Sequence, residues 1–485
     1  MGTEAIFWLA TLAIPPCAVI ALYALGIQGR RLYTLTVTCA CLLVIFAAAP
    51  LTAYLLGSAD RPGDSRIAME IIRAHPLGPL PLVLVPFAAL LWFLGILVTP
   101  TARRDKTMPA RTALLCLLTM GGFLTASPGL LLLCWGGTSI LYLYGHKERR
   151  FARAHRVAAV YMGLSTALLA IGMSLATWGR PLGVLAVPMG LGFILIAALI
   201  RGGIFPFHAW IPEIFDHGRI GPATLFCAPQ LGTYVALMLA VPQASPAMLK
   251  GAAILGLITA LYAALLALYQ TEARRACGYL FVSQSGLVFA GLDLQSREAL
   301  VGALILWVSS GLALAALSRC VLVLEARRGR LNLTRFHGGY ERMPVLAACF
   351  LILSLALTGF PATLGFVGEE MLIRGAVATF PVLGLSVVTS GALTGLAAIR
   401  MYFSLFCGRR EIGAHLPLLR SEAVGFGIAA VFLLGLGLAP GRLVRLLDQA
   451  GVAAMERGID RTAPMSKVPL GENTPPTSDH LATGD

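Results

Sequence analysis

The stretch RGGIFPFHAWIP, from Arg201 to Pro212, interrupts a long apolar run. Pro206 and Pro212 lack the backbone N–H that continues a helix, so they predict a break in a membrane helix. Arg201 and His208 place ionisable groups in or near lipid, where such groups are costly and mark functional sites. Two structural alternatives stay open. Arg201 could snorkel to the membrane surface from a helix end, and His208 could hold the kink instead of relaying protons.

The composition on either side of this stretch is that of a membrane protein. Of the 485 residues, 58% are hydrophobic and only 12% are charged. Apolar runs of about 20 residues recur, and each is long enough to cross a bilayer as a helix. We therefore predict an all-α polytopic membrane protein with about 14 transmembrane helices. The predicted spans lie at roughly 5–27, 34–56, 79–99, 110–126, 128–145, 156–178, 183–204, 220–241, 248–270, 277–293, 299–325, 343–360, 381–407 and 422–440.

The net charge is +14, and loops that are rich in basic residues alternate along the chain with loops that have few of them. By the positive-inside rule, this pattern predicts a bacterial inner-membrane protein with both termini on the non-cytoplasmic side. The charge does not indicate nucleic-acid binding. The ten Cys are scattered, with no CxxC or Cys/His cluster. We therefore expect no metal site, no disulfide framework and no cofactor.

A second break is predicted at Pro361, which follows the apolar run ending at Phe360. Paired interruptions at corresponding positions are typical of inverted internal repeats with a site at each break. The spacing suggests two five-helix repeats, at about 110–241 and 248–407. The alternative is two unrelated proline kinks.

Four motifs carry a family resemblance: FPFHAWIP (205–212), QLGTYVAL (230–237), EARRACGYLFVSQ (272–284) and GFPATLGFVGEE (359–370). In this order and spacing they resemble the antiporter-like, proton-translocating subunits of respiratory complex I and Mrp-type cation antiporters, with the M subunit the closest. The resemblance covers residues from about 100 to 410. It implies four parts: an N-terminal three-helix segment (1–100), an antiporter-like domain (101–410), a transmembrane helix (411–440), and an amphipathic segment with a disordered polar tail (441–485).

The resemblance implies a proton route, but several of its residues differ here. The family pairs a Glu on the fifth helix with a Lys on the broken seventh, and these positions hold Gly136 and Arg201. The central Lys on the eighth helix is replaced by Gln230. Arg stays protonated in proteins, whereas a desolvated Lys can load and unload a proton.

One family carboxylate is kept. Glu369 falls on the twelfth-helix position beside Glu370, and Gln284 stands where some M subunits carry His. Acids near a helix start are also favoured by the helix dipole alone, so capping is the alternative for Glu369 and Glu370. The candidate ion-pathway residues are Arg201, His208, Gln230, Gln284, Glu369 and Glu370, with Pro206, Pro212 and Pro361 as structural residues of the breaks.

Three functions follow from these patterns. The first is a membrane subunit of a complex I-like NADH:quinone oxidoreductase or related complex, which translocates protons or sodium ions, or supports that translocation, without a redox cofactor of its own. Its partners would be other membrane subunits and the lipid bilayer. The second is the membrane subunit of a cation-coupled inorganic-carbon uptake system. The third is a non-conducting scaffold, which the missing Lys and Glu favour.

Overall fold

The computed structural model describes residues 3–56, 66–144, 152–294, 296–408 and 417–462, and its regular elements in these ranges are helical. The first part of the chain forms α1 (Thr3–Ala24), α2 (Gly29–Leu56), α3 (Arg66–Ala74), α4 (Leu80–Leu97), α5 (Met108–Leu124), α6 (Pro128–Tyr144), α7 (Ala152–Trp178), α8 (Ala186–Gly202), α9 (Trp210–His217), α10 (Ile220–Cys227) and α11 (Leu231–Val235). The second part forms α12 (Pro246–Tyr269), α13 (Ala273–Asp293), α14 (Arg297–Arg328), α15 (Pro344–Leu357), α16 (Leu364–Thr379), α17 (Pro381–Phe406), α18 (Arg420–Leu438) and α19 (Gly441–Thr462).

Each predicted span coincides with one or more of these helices. Within the described ranges, ten segments are long and apolar enough to cross a membrane, and α5, α6 and α15 are shorter apolar helices. The remaining predicted span, 277–293, lies on α13, whose first turn carries Arg274 and Arg275. The chain is thus a helical membrane protein, and the number of crossings stays a prediction.

The helix α14 runs through the centre of the bundle. Its residues from Ala299 to Glu325 are all buried, as expected for a helix that is apolar all round. It packs against α4, α10, α13, α15, α16, α18 and α19. Elements from both predicted repeats therefore meet on this one helix.

Glycines bring neighbouring helices close together at the crossing of α12 and α13. A Cβ atom built on Gly286 would lie 2.6 Å from the carbonyl oxygen of Gly256. In lipid, helix association depends on such close backbone contact, because apolar side chains gain little by leaving the hydrocarbon. The crossing places Thr259 of α12 and Ser285 of α13 beside the first break.

The first break separates α8 from α9. The α8 helix ends at Gly202, and Gly203 takes a left-handed conformation with φ of 68°. A cis peptide bond precedes Pro206. The helical path resumes at Trp210, so Pro212 lies in the first turn of α9, where no backbone donor is needed.

The second break lies between Leu357, the last residue of α15, and Leu364, the first of α16, with Pro361 in the connection. The predicted span 220–241 coincides with an apolar segment, Ile220–Ala240, that is long enough to cross a membrane, but this segment is not one continuous helix. The helix is interrupted at Pro229 and Gln230, and Gln230 has a left-handed φ of 48°. Proline explains the interruption, because it removes a backbone donor and restricts the residue before it.

The carboxy-terminal helix α19 packs against α14 and α4. It contains the predicted amphipathic segment from Arg442 to Arg457. The predicted disordered tail beyond residue 462, and the domain boundary near 410, lie outside the described residues.

Candidate functional site

The guanidinium of Arg201 crosses from α8 to α6, where it contacts three residues. Its Nη1 atom donates to the Ser139 hydroxyl at 2.6 Å and to the Trp135 carbonyl at 3.2 Å, and its Nη2 atom donates to the Thr138 hydroxyl at 2.7 Å. Positions three and four residues after Trp135 lie on the same face of α6, so one fork reaches all three acceptors. Arg201 is only 6% exposed, which excludes snorkelling to the membrane surface.

Aromatic rings complete the surroundings of Arg201. Its guanidinium carbon lies 4.6 Å from the ring centroid of Trp135 and 4.4 Å from that of Phe226, within cation–π range. Among the described residues, no carboxylate contacts it. A Cβ atom on Gly136 would make an ordinary van der Waals contact with Thr166 at 3.8 Å. Arg201 is therefore a fixed positive charge held by neutral acceptors.

Side chains from three helices satisfy the backbone of the first break. The indole of Trp210 donates to the Ile200 carbonyl at 2.9 Å, and the Ser285 hydroxyl donates to the Gly202 carbonyl at 2.8 Å. The Phe205 N–H donates to the Thr259 hydroxyl at 2.9 Å. Non-helical backbone is tolerated at membrane depth only where protein or water satisfies it in this way.

His208 takes no part in these backbone bonds. Its ring packs edge-on against Tyr262 at 5.3 Å between centroids and stacks on Phe205 at 6.0 Å. Its Nδ1 atom is buried and has no hydrogen-bond partner among the described residues. In the structure His208 therefore packs against aromatic rings at the break, and its part in proton transfer stays a prediction.

Gln230 lies at the interruption between α10 and α11. Its side-chain oxygen accepts a hydrogen bond from the Thr233 hydroxyl at 3.0 Å. The next turn packs tightly on α8, since a Cβ atom on Gly232 would lie 3.2 Å from the Arg201 Cβ. Gln230 and Arg201 thus occupy neighbouring helices, and no hydrogen bond in the described structure joins their side chains.

A buried histidine that the sequence did not single out lies near this interruption. The Leu77 N–H donates to His75 Nδ1 at 3.1 Å, so the neutral ring carries its proton on Nε2. That atom lies 3.1 Å from the Tyr234 hydroxyl, which in turn donates to the Phe123 carbonyl at 2.9 Å. No sequence motif marks His75, because the network depends on contacts between distant segments.

Glu369 lies in the second turn of α16, and its carboxylate is enclosed by two glycines. A Cβ atom on Gly359 would lie 1.9 Å from its Oε2 atom, and one on Gly391 would lie 2.0 Å from its Oε1 atom. Thr363 caps the helix instead, by accepting from the Phe366 N–H at 3.4 Å. Capping therefore does not account for Glu369. Within the described structure, its half-buried carboxylate has no hydrogen bond or ion pair.

Glu370 has a different environment. Its carboxylate accepts a hydrogen bond of 2.9 Å from Arg374, one turn later on α16. The side chain of Glu370 is 41% exposed and that of Arg374 is 68% exposed. The two adjacent acids thus differ, because Glu369 faces the protein and Glu370 forms a surface ion pair.

Polar residues of α13 lie between the first break and the part of α17 beside Glu369. Ser285 bonds the first break at Gly202. On the other side, the Ser283 hydroxyl lies 3.5 Å from the Ser390 hydroxyl of α17, one residue before Gly391. Between them, the buried side-chain oxygen of Gln284 has no partner in the part of the chain that the structure describes.

Further buried hydroxyls lie on the helices around Glu369. A Cβ atom on Gly365, one turn before Glu369, would lie 3.3 Å from the Ser309 hydroxyl. Buried polar atoms are normally hydrogen-bonded to protein or to water, so such hydroxyls mark a region suited to hydration. Those without a partner among the described residues are Ser309, Ser310, Ser354 and Thr394.

Arg319 and Asp293 are among the buried charged residues that were missed in the sequence. Arg319 of α14 donates to the Gly95 carbonyl at 2.6 Å and the Gly221 carbonyl at 3.0 Å, joining the end of α4 to the start of α10. Asp293, at the end of α13, is 1% exposed, and neither carboxyl oxygen has a partner in the described ranges. Arg319 is a single charge within an apolar run, and this pattern could have marked it as a buried residue. Asp293 lies at the end of a predicted span, where the sequence suggests a loop.

The described residues contain no group of three or more His, Cys, Asp or Glu side chains that could hold a metal ion. The polar residues of the interior are instead hydroxyls, amides, single charges such as Arg201, and ion pairs such as Arg274 with Glu325. Such groups can carry ions or protons together with water.

Comparison with known proteins places this arrangement in a family. Residues 130–394 match the family model described as NADH:quinone oxidoreductase/Mrp antiporter, transmembrane. NADH-quinone oxidoreductase subunit N 3 of Streptomyces griseus is 28% identical over an alignment of 281 residues. The match covers 54% of this chain and 49% of that protein. Subunit N of Halorhodospira halophila is 25% identical over an alignment of 371 residues, and the match covers 68% of this chain and 75% of that protein. The chain thus spans about half to three quarters of the length of these curated relatives.

Solved structures share the fold over a greater length. A chain of the Mrp complex from Dietzia sp. DQ12-45-1b superposes with a TM-score of 0.81 at 17% identity, and the match covers 94% of this chain and 98% of that one. A chain of respiratory complex I from Thermus thermophilus superposes with a TM-score of 0.79 at 22% identity, covering 93% and 99%. At these identities the likeness shows the fold.

Proposed function

This chain belongs to the NADH:quinone oxidoreductase/Mrp antiporter transmembrane family, and from that premise we propose that it is an ion-translocating membrane subunit of a complex I-like, energy-converting assembly. Its partners are other membrane subunits, and protons are the first candidate ion, with sodium ions the alternative. The proposed membrane is the bacterial inner membrane, with the arginine-rich loops in the cytoplasm and both termini on the opposite side. The two proline-associated breaks support the inverted repeats proposed for its 14 helices.

The environment of Glu369 carries this proposal. Its carboxylate occupies a space left by Gly359 and Gly391 and has no counter-ion among the described residues. A carboxyl locked in an ion pair resists protonation, whereas one without a fixed partner can change its charge as its hydration changes. Glu369 is therefore the proposed proton-exchanging group of the second repeat.

The buried polar residues supply a path to that carboxyl. Ser285 and Ser283 on α13, then Ser390 on α17, lead from the first break towards Glu369, and Gln284 lies between the two α13 serines in the chain. Hydroxyl and amide groups can pass protons along hydrogen-bonded water without changing their own charge. In this proposal the second repeat conducts with one carboxyl and a line of neutral groups.

Arg201 has a different role in this mechanism. Guanidinium groups keep their proton in proteins, and three neutral acceptors hold this one in place. It does not load and unload a proton as a lysine would. Its fixed charge instead sets the electrostatic field at the first break.

The same contacts favour a second candidate, a non-conducting scaffold. Arg201 makes a static link between α8 and α6, as a bracing residue would. In this case the chain holds a complex together, and ions move through other subunits.

Flux measurements on the assembly distinguish these candidates. The full-length chain is purified with its copurifying subunits, reconstituted in proteoliposomes, and proton movement under an imposed membrane potential is followed with a pH-sensitive dye. Glu369→Gln removes the titrating group, so we expect proton flux to fall at least about tenfold. Glu370→Gln is the matched control, because Glu370 is exposed and paired with Arg374.

The variants must first show the thermal stability and subunit composition of the wild type. Full flux in Glu369→Gln would contradict the proposed role of Glu369. That result would instead support the scaffold, in which ions move through other subunits, and an assembly without proton or sodium flux even with the wild-type chain would contradict ion translocation.

A further inference from the structure

A cavity of about 590 Å³ lies at the ends of several helices, away from both breaks. It lies between the α4–α5 connection, the last turns of α6 and α9, and the starts of α10 and α13. Its volume is typical of a small-molecule site. Neither Arg201 nor Glu369 lines it, so the proposed ion route does not explain it.

The walls of this cavity are strongly basic. The described lining residues include six arginines against two aspartates, namely Arg103, Arg104, Arg111, Arg219, Arg274 and Arg330 against Asp105 and Asp216. Asp105 accepts from Arg219 at 2.9 Å, and Asp216 accepts from Arg330 at 2.7 Å. Both aspartates are thus already engaged, and Arg274 pairs with the buried Glu325 of α14. Arg103, Arg104 and Arg111 add further positive charge to the lining, and this excess over the acids favours an anion.

The starts of two helices add to this positive potential. Met108 and Arg111 lie in the first turn of α5, and Ile220 and Gly221 lie in the first turn of α10. Backbone N–H groups at helix starts carry partial positive charge and favour anions. These two starts support the charge of the arginine side chains.

The cavity lining also contains apolar side chains. These are Leu115, Leu141 and Leu322, and Tyr142 adds an aromatic ring. A small inorganic ion would leave these side chains without a partner. A ligand with an anionic head and an apolar body would contact both the arginines and the apolar side chains.

We propose that this cavity binds a phosphate group, carried by an anionic phospholipid. Planar guanidinium groups bind phosphate through paired hydrogen bonds, which suits a lining rich in arginine. Basic pockets between membrane helices, at the level of the head groups, are typical places for anionic lipid heads. The site would join a lipid to α5, α6, α10 and α13 at one end of the bundle.

The proposal is tested by binding to the purified full-length chain in neutral detergent. Thermal unfolding is measured with increasing phosphatidylglycerol, phosphatidylcholine or inorganic phosphate, and native mass spectrometry counts the retained lipids. We expect phosphatidylglycerol to raise the melting temperature at the lowest concentrations, and phosphatidylcholine to have no comparable effect. Stabilisation by inorganic phosphate at concentrations as low as those of the lipid would support the phosphate site and overturn the lipid as its source.

Two variants connect the binding to the cavity. Arg111→Gln on the wall and Arg103→Gln at an exposed position should each weaken phosphatidylglycerol binding about tenfold, the loss expected for one charge-assisted contact. Arg31→Gln is the control, because Arg31 is exposed at the start of α2, near the same face, and does not line the cavity. Equal responses to both lipids, or equal losses in Arg31→Gln and Arg111→Gln, would overturn the proposal. Because Arg103 is exposed, its variant tests the site even if Arg111→Gln unfolds.

Discussion

The hydroxyl of Ser283 lies 3.5 Å from the hydroxyl of Ser390, and this contact links α13 to α17 beside the Glu369 carboxylate. Both serines are fully buried. Ser285, two residues after Ser283, bonds the carbonyl of Gly202 at the first break. One short segment of α13 therefore contacts both the first break and the part of α17 that lies beside Glu369.

Ser390→Ala should lower proton flux through the assembly. The substitution removes one hydroxyl from the line between Gln284 and Glu369, and the expected loss is about tenfold, equivalent to one hydrogen bond of roughly 1.4 kcal/mol. The measurement is the dye-based flux assay in proteoliposomes. Ser386→Ala is the control, because Ser386 lies one turn earlier on α17, is exposed, and bonds only its own helix in the described structure. Equal flux in the two variants would remove Ser390 from the path.

Gly391→Ala should displace the Glu369 carboxylate. A Cβ atom at position 391 would lie 2.0 Å from Oε1, so the carboxylate must move out of its space. We expect a strong loss of flux and a destabilisation of about 1–3 kcal/mol, as for other overpacked sites. Flux and thermal unfolding measure these two effects.

Gly427→Ala is the matched control for this substitution. Gly427 lies in α18, and a Cβ atom there would meet no atom within 4 Å. It should leave flux unchanged. Wild-type flux in Gly391→Ala would mean that the position of the carboxylate is not important for conduction.

Some features of the site can be predicted from the sequence and others are visible only in the structure, and the reason is physical. Local chemistry predicts the breaks at Pro206 and Pro361, because proline acts on its own helix. Glu369 was indicated by the family resemblance of the motif GFPATLGFVGEE. The space that holds its carboxylate depends on Gly359 and Gly391, which come together only through packing.

Long-range contacts account for the other missed features. Arg319 bonds the carbonyl of Gly95, 224 positions away, and His75 meets Tyr234 across 159 positions. A single sequence does not show such pairs. The interruption at Gln230 was missed because hydropathy alone describes an uninterrupted span there.

Arg201→Lys should destabilise the chain without creating a proton carrier. Lysine keeps the charge but lacks the planar fork, so it cannot reach Thr138 and Ser139 with the same geometry. Both hydroxyls still donate to the Trp135 carbonyl at 2.9 Å, but they lose hydrogen bonds from a charged donor. Such bonds are worth about 1.5–3 kcal/mol, a loss that thermal unfolding in detergent should detect. Arg31→Lys, at an exposed position, controls for the exchange of residue type. A rise in proton flux in Arg201→Lys would contradict the static role proposed for this residue.

Asp105→Asn should change how stability depends on pH. Burial acts to raise the pKa of the Asp105 carboxyl, but the hydrogen bond and charge of Arg219 outweigh it and hold the pKa below its ordinary value. Because the folded pKa is the lower one, the ion pair stabilises the fold fully above the ordinary pKa of about 3.9 and is lost as pH falls through the folded value. The variant should therefore be less stable near neutral pH, by roughly 0.2–1 kcal/mol for a partly exposed pair. Thermal unfolding at about pH 7 and about pH 3 should show this difference closing at the lower pH, since protonation removes the ion pair from the wild type. A difference that stays constant between the two pH values would mean that Asp105 stabilises the α4–α5 connection by its shape or neutral hydrogen bonds, and not by its charge.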